Sequence, residues 1–314
     1  MIAVVPYTES RKGEWDAFVA ESKNGTFLFL RDYMEYHADR FADASLMFFD
    51  DDELAAVMPA SVDGAHVVSH GGLTFGGVVS GRRMRAKTML DIFDALAVRA
   101  RESGMTALTY KCVPYIYSDV PADEDRYALF RHDAQRIRCD LSVAVAQTDR
   151  IPYTKGRKWA VNKSKKSGLT VGESSDIEAF MEMETEHLRS KFDAAPVHTA
   201  AEMRVLASRF PKNIRLFTAT IGGRLLAGLL VYESKNVAHA QYIGTTEEGR
   251  DLCALDAIVD HLLGDVFAQK RYFDFGTSNG DGGRYLNEGL IDNKESYGAR
   301  GVAHEFYELR FAER

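Results

Sequence analysis

The sequence is poor in cysteine, in proline, in long apolar runs and in excess positive charge, and each shortage removes a class of protein. Only three cysteines occur, Cys112, Cys139 and Cys253, an odd number with no C-x-x-C spacing. A disulfide framework and a thiolate metal site are therefore not expected, and a reducing, cytoplasmic setting fits. Seven prolines and 25 glycines, beside 46% hydrophobic and 27% charged residues, place the chain among folded globular proteins and away from disordered ones. Its longest apolar stretch, Leu225 to Tyr232, falls far short of the roughly 20 residues that a membrane-crossing helix needs. Met1-Ile2-Ala3-Val4-Val5 runs straight into polar sequence, so no signal peptide is expected. Lys plus Arg number 39 against 46 Asp plus Glu, a net charge of −7 that offers no global attraction to nucleic acid or anionic lipid. Any anion site must be local. The nine histidines are scattered with no H-E-x-x-H, and Asp50 to Glu53 reads as a hairpin turn rather than a calcium loop. A metal site is not indicated, and a serine hydrolase is not expected.

What is present reads as one order of elements used twice. A length of 314 residues suggests two domains at roughly 150 residues each. Trp15, Phe18 and Val19, and then the aromatics from Phe27 to Phe41, have helical spacing. Strands follow at Ser45 to Phe49, Leu54 to Val62 and Ala65 to Ser69, the last two joined by an Asp63-Gly64 turn. Met89 to Ala97 predicts an amphipathic helix stopped by Gly104, followed by a strand Thr106 to Lys111, a helix Asp123 to His132 and a strand Arg138 to Val145. The second half repeats this with helices at Ile177 to Lys191 and Ala200 to Phe210, and a meander Ile214 to Thr220, Leu225 to Glu233 and Val237 to Ile243. After it come one long helical stripe, Leu252 to Val266, a strand Arg271 to Phe275, a helix near Gly283 to Tyr297 and a strand Val302 to Phe311. Hairpins followed by crossovers imply mixed, mostly antiparallel sheets flanked by helices, so the fold class is α/β or α+β, with domains 1–149 and 150–314.

Three clusters could carry chemistry. Arg150 to Lys166 holds seven basic residues and no acid, with Arg157, Val161 and Lys165 at helical spacing and Lys163 nearby. It is either a local phosphate or carboxylate site or a solvated helix. Four glycines surround His70 and Thr74 in Ser69 to Gly77, matching no nucleotide-binding fingerprint. There His70 is a candidate general base or substrate hydrogen-bonder, or else part of a structural turn. Lys111, Tyr115 and Tyr117 follow a strand end, where ligand crevices commonly lie; the alternative is aromatic packing.

The order of elements resembles the GNAT acyltransferase fold, and two such units resemble the Fem-type peptidyltransferases. The most specific segment is Tyr272-Phe273-Asp274-Phe275-Gly276-Thr277-Ser278, a glycine-rich turn, then Leu286 to Gly298 with Lys294 near its end. It looks like the closing motif of Fem-type proteins, and Pro196 to Thr199 and Ala238 to Ile243 add to the likeness. The resemblance implies direct acyl or aminoacyl transfer to an amino group of a sugar nucleotide, glycan or cell-wall-type precursor, with no covalent enzyme intermediate. In that case Lys294 neutralises a phosphate or oxyanion, Asp274, Ser278 and Asn287 orient the acceptor, and His198, Gln241 and Tyr242 line a splayed strand. The donor implied is acyl-CoA or aminoacyl-tRNA. Where CoA-using relatives have a glycine-rich pyrophosphate turn, this chain has Gly244-Thr245-Thr246-Glu247-Glu248-Gly249-Arg250-Asp251, whose glutamates repel phosphate. A tRNA donor is permitted by the family but not supported by the overall charge. The alternative is a non-catalytic GNAT pair that only binds a glycan or anionic metabolite.

Overall fold

A computed structural model describes residues 1–192 and 196–311. They form two compact units, one of Met1–Leu141, Asn279–Tyr285 and the segment from Ala303 onward, the other of Ser142–Ser278 and Leu286–Val302. Neither unit is one continuous stretch of chain.

The first unit contains β1 (Ile2–Pro6), β2 (Ala42–Asp43), β3 (Leu46–Asp50), β4 (Glu53–Met58), β5 (Ser61–Asp63), β6 (His66–Val68), β7 (Val79–Ser80) and β8 (Ala107–Lys111). An antiparallel sheet runs β1-β3-β4-β7. In the other, β8 lies between the last strand of the chain, antiparallel, and β6, parallel, with β5 and β2 beyond. The single strand expected over Leu54 to Val62 is thus two strands in two sheets. Pro59, which has no N–H to donate, sits at the change of sheet. The aromatic segment after Phe27 is not one helix but three short turns, Phe27–Phe29, Arg31–Met34 and Glu35–His37. Leu30 takes an extended backbone between the first two, which lets Phe27, Phe29, Tyr33 and Met34 all bury. Helix Ala86–Glu102 buries Met89, Ile92, Phe93, Leu96 and Ala100. It stops where Gly104 adopts φ +73° while the amide of Met105 returns to the Ala100 carbonyl.

The second unit is built on β9 (Gln135–Ala146), of which residues 142–146 belong to it, β10 (Thr170–Ser174), β11 (Ile214–Ile221), β12 (Arg224–Glu233), β13 (Val237–Thr245) and β14 (Tyr272–Thr277). Their order is β10-β11-β12-β13-β14-β9. All neighbours are antiparallel except β13 and β14. That parallel pair matches only Val237 with Tyr272, Ala238 with Phe273 and His239 with Asp274, after which β13 runs on to Thr245 and β14 to Thr277. The two strands therefore part beyond Asp274. The register of β12 and β13 slips between Leu230 and Val231, which leaves Gln241 as the extra residue of a bulge.

Two helical expectations change in this unit. The stripe from Leu252 to Val266 is broken, because Cys253 has φ +56° and separates helix Glu247–Asp251 from Ala254–His261, which ends in a π-turn Leu262–Val266. The helix expected from Gly283 starts only at Glu288, since Gly282 and Gly283 take φ of +57° and +90°.

Candidate active site

The opening between β13 and β14 is where the second unit gathers its chemistry. Asp274 is fully buried at the last position of β14 that pairs with β13. Its carboxylate accepts from His239 Nδ1 at 2.7 Å, from Ser142 Oγ at 2.5 Å and from the Gly276 amide at 3.2 Å. A buried charge needs such donors to be tolerated. Two residues on, Gly276 has φ +76°, within the irregularity that interrupts the pairing of β14 with β9 between Asp274 and Thr277.

Lys294 comes from helix Glu288–Glu295, which starts where Asn287 Oδ1 accepts from the Leu290 amide at 3.0 Å. Its ammonium donates to the carbonyls of Gly276 at 2.9 Å and Thr277 at 2.8 Å. An ammonium has three N–H donors, so one remains for a ligand. Burial lowers its pKa to about 8, and the charge of Asp274 pulls it back up. At neutral pH it is mostly protonated. Ser278 Oγ beside this turn is buried with no partner among the described residues.

On the β13 side, the hydroxyl of Tyr242 meets His198 Nδ1 at 2.6 Å and accepts from the His198 amide at 3.1 Å, and the Gln241 side chain also donates toward it. Burial raises this phenol's pKa, and the charge of Glu184 adds to the rise. Glu184 is a residue that reading the sequence missed. It lies on helix Ile177–Phe192 in the same stripe as the buried Ile177, Phe180 and Met181. Its carboxylate comes so close to β13 that a Cβ on Gly244 would sit 2.9 Å from Oε2. Oε2 has no hydrogen-bond partner among the described residues, and burial alone lifts the pKa to about 7. An acid at the i+7 position of an otherwise apolar stripe was the available signal.

The remaining predicted residues serve other arrangements. Arg157 is bound within its own unit, to the carboxylate of Asp256, to Ser296 Oγ at 2.8 Å and to Tyr297 Oη at 2.9 Å, with its guanidinium 3.9 Å from the Tyr297 ring centroid. Lys163 is exposed, 5.2 Å from the ring of Trp159. In the first unit, Lys111 Nζ donates to the carbonyls of His70 at 3.0 Å, Leu73 at 2.7 Å and Gly71 at 3.4 Å, which uses all three donors. His70 has φ +61° and stacks on His37 with ring centroids 5.2 Å apart. Burial, followed by the neighbouring His37, lowers its pKa to about 3. At neutral pH it is an uncharged imidazole of low basicity. Tyr115 is exposed, whereas Tyr117 is buried with its ring 4.5 Å from that of Phe75.

The expected phosphate-repelling turn is present and more closed than its sequence implies. Thr246 caps helix Glu247–Asp251, its Oγ1 accepting from the Gly249 amide at 3.0 Å, and Glu248 pairs with Arg224 through two contacts of 2.8 Å. The amide that an anion would seek there is already bound. Among the described residues, no group of three or more His, Cys, Asp or Glu could hold a metal, and no helix is long and apolar enough to cross a membrane.

Residues 155–285 match the acetyltransferase (GNAT) domain family. No curated protein matches the sequence. Among solved structures, FemX is similar with a TM-score of 0.70 at 13% identity, over 97% of this chain and 96% of that one. L-PGS from Bacillus licheniformis gives 0.62 at 13% identity over 96% and 92%. A tandem GNAT protein from the clavulanic acid biosynthesis pathway gives 0.52 at 14% identity over 100% of both chains. At such identities the likeness is one of fold.

Proposed function

We propose that this chain, whose residues 155–285 match the acetyltransferase (GNAT) domain family and whose fold is similar to that of FemX, transfers an acyl or aminoacyl group directly to an amino group of a sugar nucleotide, glycan or cell-wall-type precursor. The observations that support this reading are the β13–β14 opening, the spare N–H of Lys294 at the β14 carbonyls and the Glu184 carboxylate against Gly244 of β13, its Oε2 without a partner among the described residues. Glu184 takes a proton from the acceptor ammonium. The freed amine attacks the donor carbonyl carbon, and Lys294 donates to the oxygen as it becomes negative. Collapse of the tetrahedral species expels the thiol or hydroxyl of the donor, which leaves with a proton. Asp274 orients this end by holding Gly276 and His239, while His198, Gln241 and Tyr242 face the acceptor and Ser278 offers it a free hydroxyl. The three free cysteines keep a reducing, cytoplasmic setting part of this reading.

The donor is an acyl-CoA or an aminoacyl-tRNA, and the capped, acidic helix start at Thr246 favours one that needs no pyrophosphate grip there. A non-catalytic binding module is the second reading, which the same closed turn favours. Purified protein incubated with acetyl-CoA, longer acyl-CoAs or charged tRNA and a panel of amino-sugar nucleotides and peptidoglycan precursors tests both, with mass spectrometry of the acceptor. An acceptor gaining an acyl mass supports transfer. Thermal stabilisation by an acceptor, with no product from any donor, supports the binding module.

A further inference from the structure

Helix Lys155–Ser164 has two unlike faces. Val161 and Ser164 are buried, and Arg157 on the same side is held by Asp256 and Tyr297. Lys155, Lys158, Trp159, Asn162 and Lys163, continued by Lys166 in the next turn, are all exposed. With 3.6 residues per turn they share an arc of about 140°, opposite the buried side. No acid lies anywhere from Arg150 to Lys166. Among the described residues Lys155, Lys158, Lys163 and Lys166 have no acidic partner, whereas Lys165, off this arc, pairs with Asp260 at 2.9 Å. Trp159 is 63% exposed at the centre of this lysine field.

We propose that this face docks the protein onto an anionic lipid surface, with Trp159 entering the headgroup layer and the four lysines above the lipid phosphates. Charge complementarity argues for it, since in a chain whose net charge is −7 this arc carries four lysines and no acid. The cation type argues for lipid over nucleic acid. Every free cation of the arc is a lysine, a flexible point charge suited to a diffuse anionic plane, while the planar Arg157, suited to bidentate phosphate or base recognition, is turned inward. A tryptophan ringed by lysines is the amphipathic composition that partitions to a membrane interface, with the lysine stems lying along the apolar boundary. The surface lies wholly in the second unit and does not depend on the transfer reaction.

Intrinsic fluorescence tests this directly. The sequence holds two tryptophans, and Trp15 is fully buried with its indole N–H on the Phe29 carbonyl at 2.8 Å, so a change in emission reports Trp159. Full-length protein is mixed with vesicles of equal phosphatidylglycerol and phosphatidylcholine, or of phosphatidylcholine alone. The expected result is co-sedimentation and a blue shift with the anionic vesicles only, reversed by about 0.5 M salt as the charges are screened. Each lysine contributes about fivefold to partitioning, so K155Q/K158Q/K163Q/K166Q loses two orders of magnitude or more while its melting temperature stays put. W159S loses the blue shift and retains salt-sensitive binding. Failure to bind anionic vesicles at low salt, or binding indifferent to the four substitutions, overturns the proposal. So does lysine-dependent binding of a short RNA duplex with no response to vesicles, which reassigns the face to nucleic acid.

Discussion

Replacing Glu184 by glutamine should stabilise the protein at neutral pH while stopping the reaction. The carboxylate is buried, its Oε2 without a partner among the described residues, and its pKa is raised to about 7 from an ordinary 4.5. The folded state therefore holds this proton more tightly than the unfolded state does. Between the two values folding takes up a proton, so stability falls as pH rises through that window and levels off above about 7. The ceiling of that loss is about 3 kcal/mol at pH 7 to 8 and close to zero at pH 4. Glutamine copies the protonated form at every pH and avoids the loss. At about 2–4 °C per kcal/mol for a unit of this size, E184Q should melt several degrees above the parent at pH 8 and level with it at pH 4. Calorimetry across that range, with transfer assayed on the same samples, is the measurement. A variant that melts lower at pH 8, or whose advantage does not change with pH, would refute the buried-carboxylate reasoning. Undiminished turnover would remove Glu184 as the proton acceptor.

Other consequences are equally open to measurement. K294A should lower kcat by about 10²–10³, the usual effect of losing one oxyanion donor, with little change in circular dichroism; normal turnover would exclude Lys294 from the reaction. The rate should rise as Glu184 loses its proton near pH 7 and fall as Lys294 loses its own near pH 8, so kcat/KM should peak in a narrow window that K294R widens on the alkaline side. D274A leaves His239, Ser142 and the Gly276 amide without their acceptor, which should cost about 3 kcal/mol or more in urea unfolding. A loss below about 1 kcal/mol would mean that water replaces the carboxylate.

Local rules made much of this protein legible from its sequence. Periodicity located helix Ala86–Glu102, the meander β11-β12-β13 and strand β14, and Gly104 marked a helix end because only a left-handed residue closes that motif without strain. Asp274 and Lys294 came from a family resemblance in which a strand end and a following helix lie close in sequence, and here Lys294 donates to the carbonyls just past Asp274. Spacing could not announce the rest. Leu54 to Val62 reads as one apolar strand, and only sheet pairing shows the chain leaving one sheet for another at Pro59. The Leu252 to Val266 stripe is continuous in hydrophobicity, yet the left-handed Cys253 divides it.

The sequence by itself determined most of the elements, their order and the local excess of lysine, because these depend on neighbours a few residues apart. Tertiary structure alone decided which charges are used up and which are free. Arg157 and Lys111 look as available in sequence as Lys294, but Asp256 and three loop carbonyls occupy them, while Lys294 keeps one N–H. Glu184 became chemically distinct only when Gly244, sixty positions along the chain, brought the backbone of β13 against it and excluded water. A side chain's pKa and its spare hydrogen bonds depend on whatever packs around it, and that is set by contacts between distant segments rather than by local sequence.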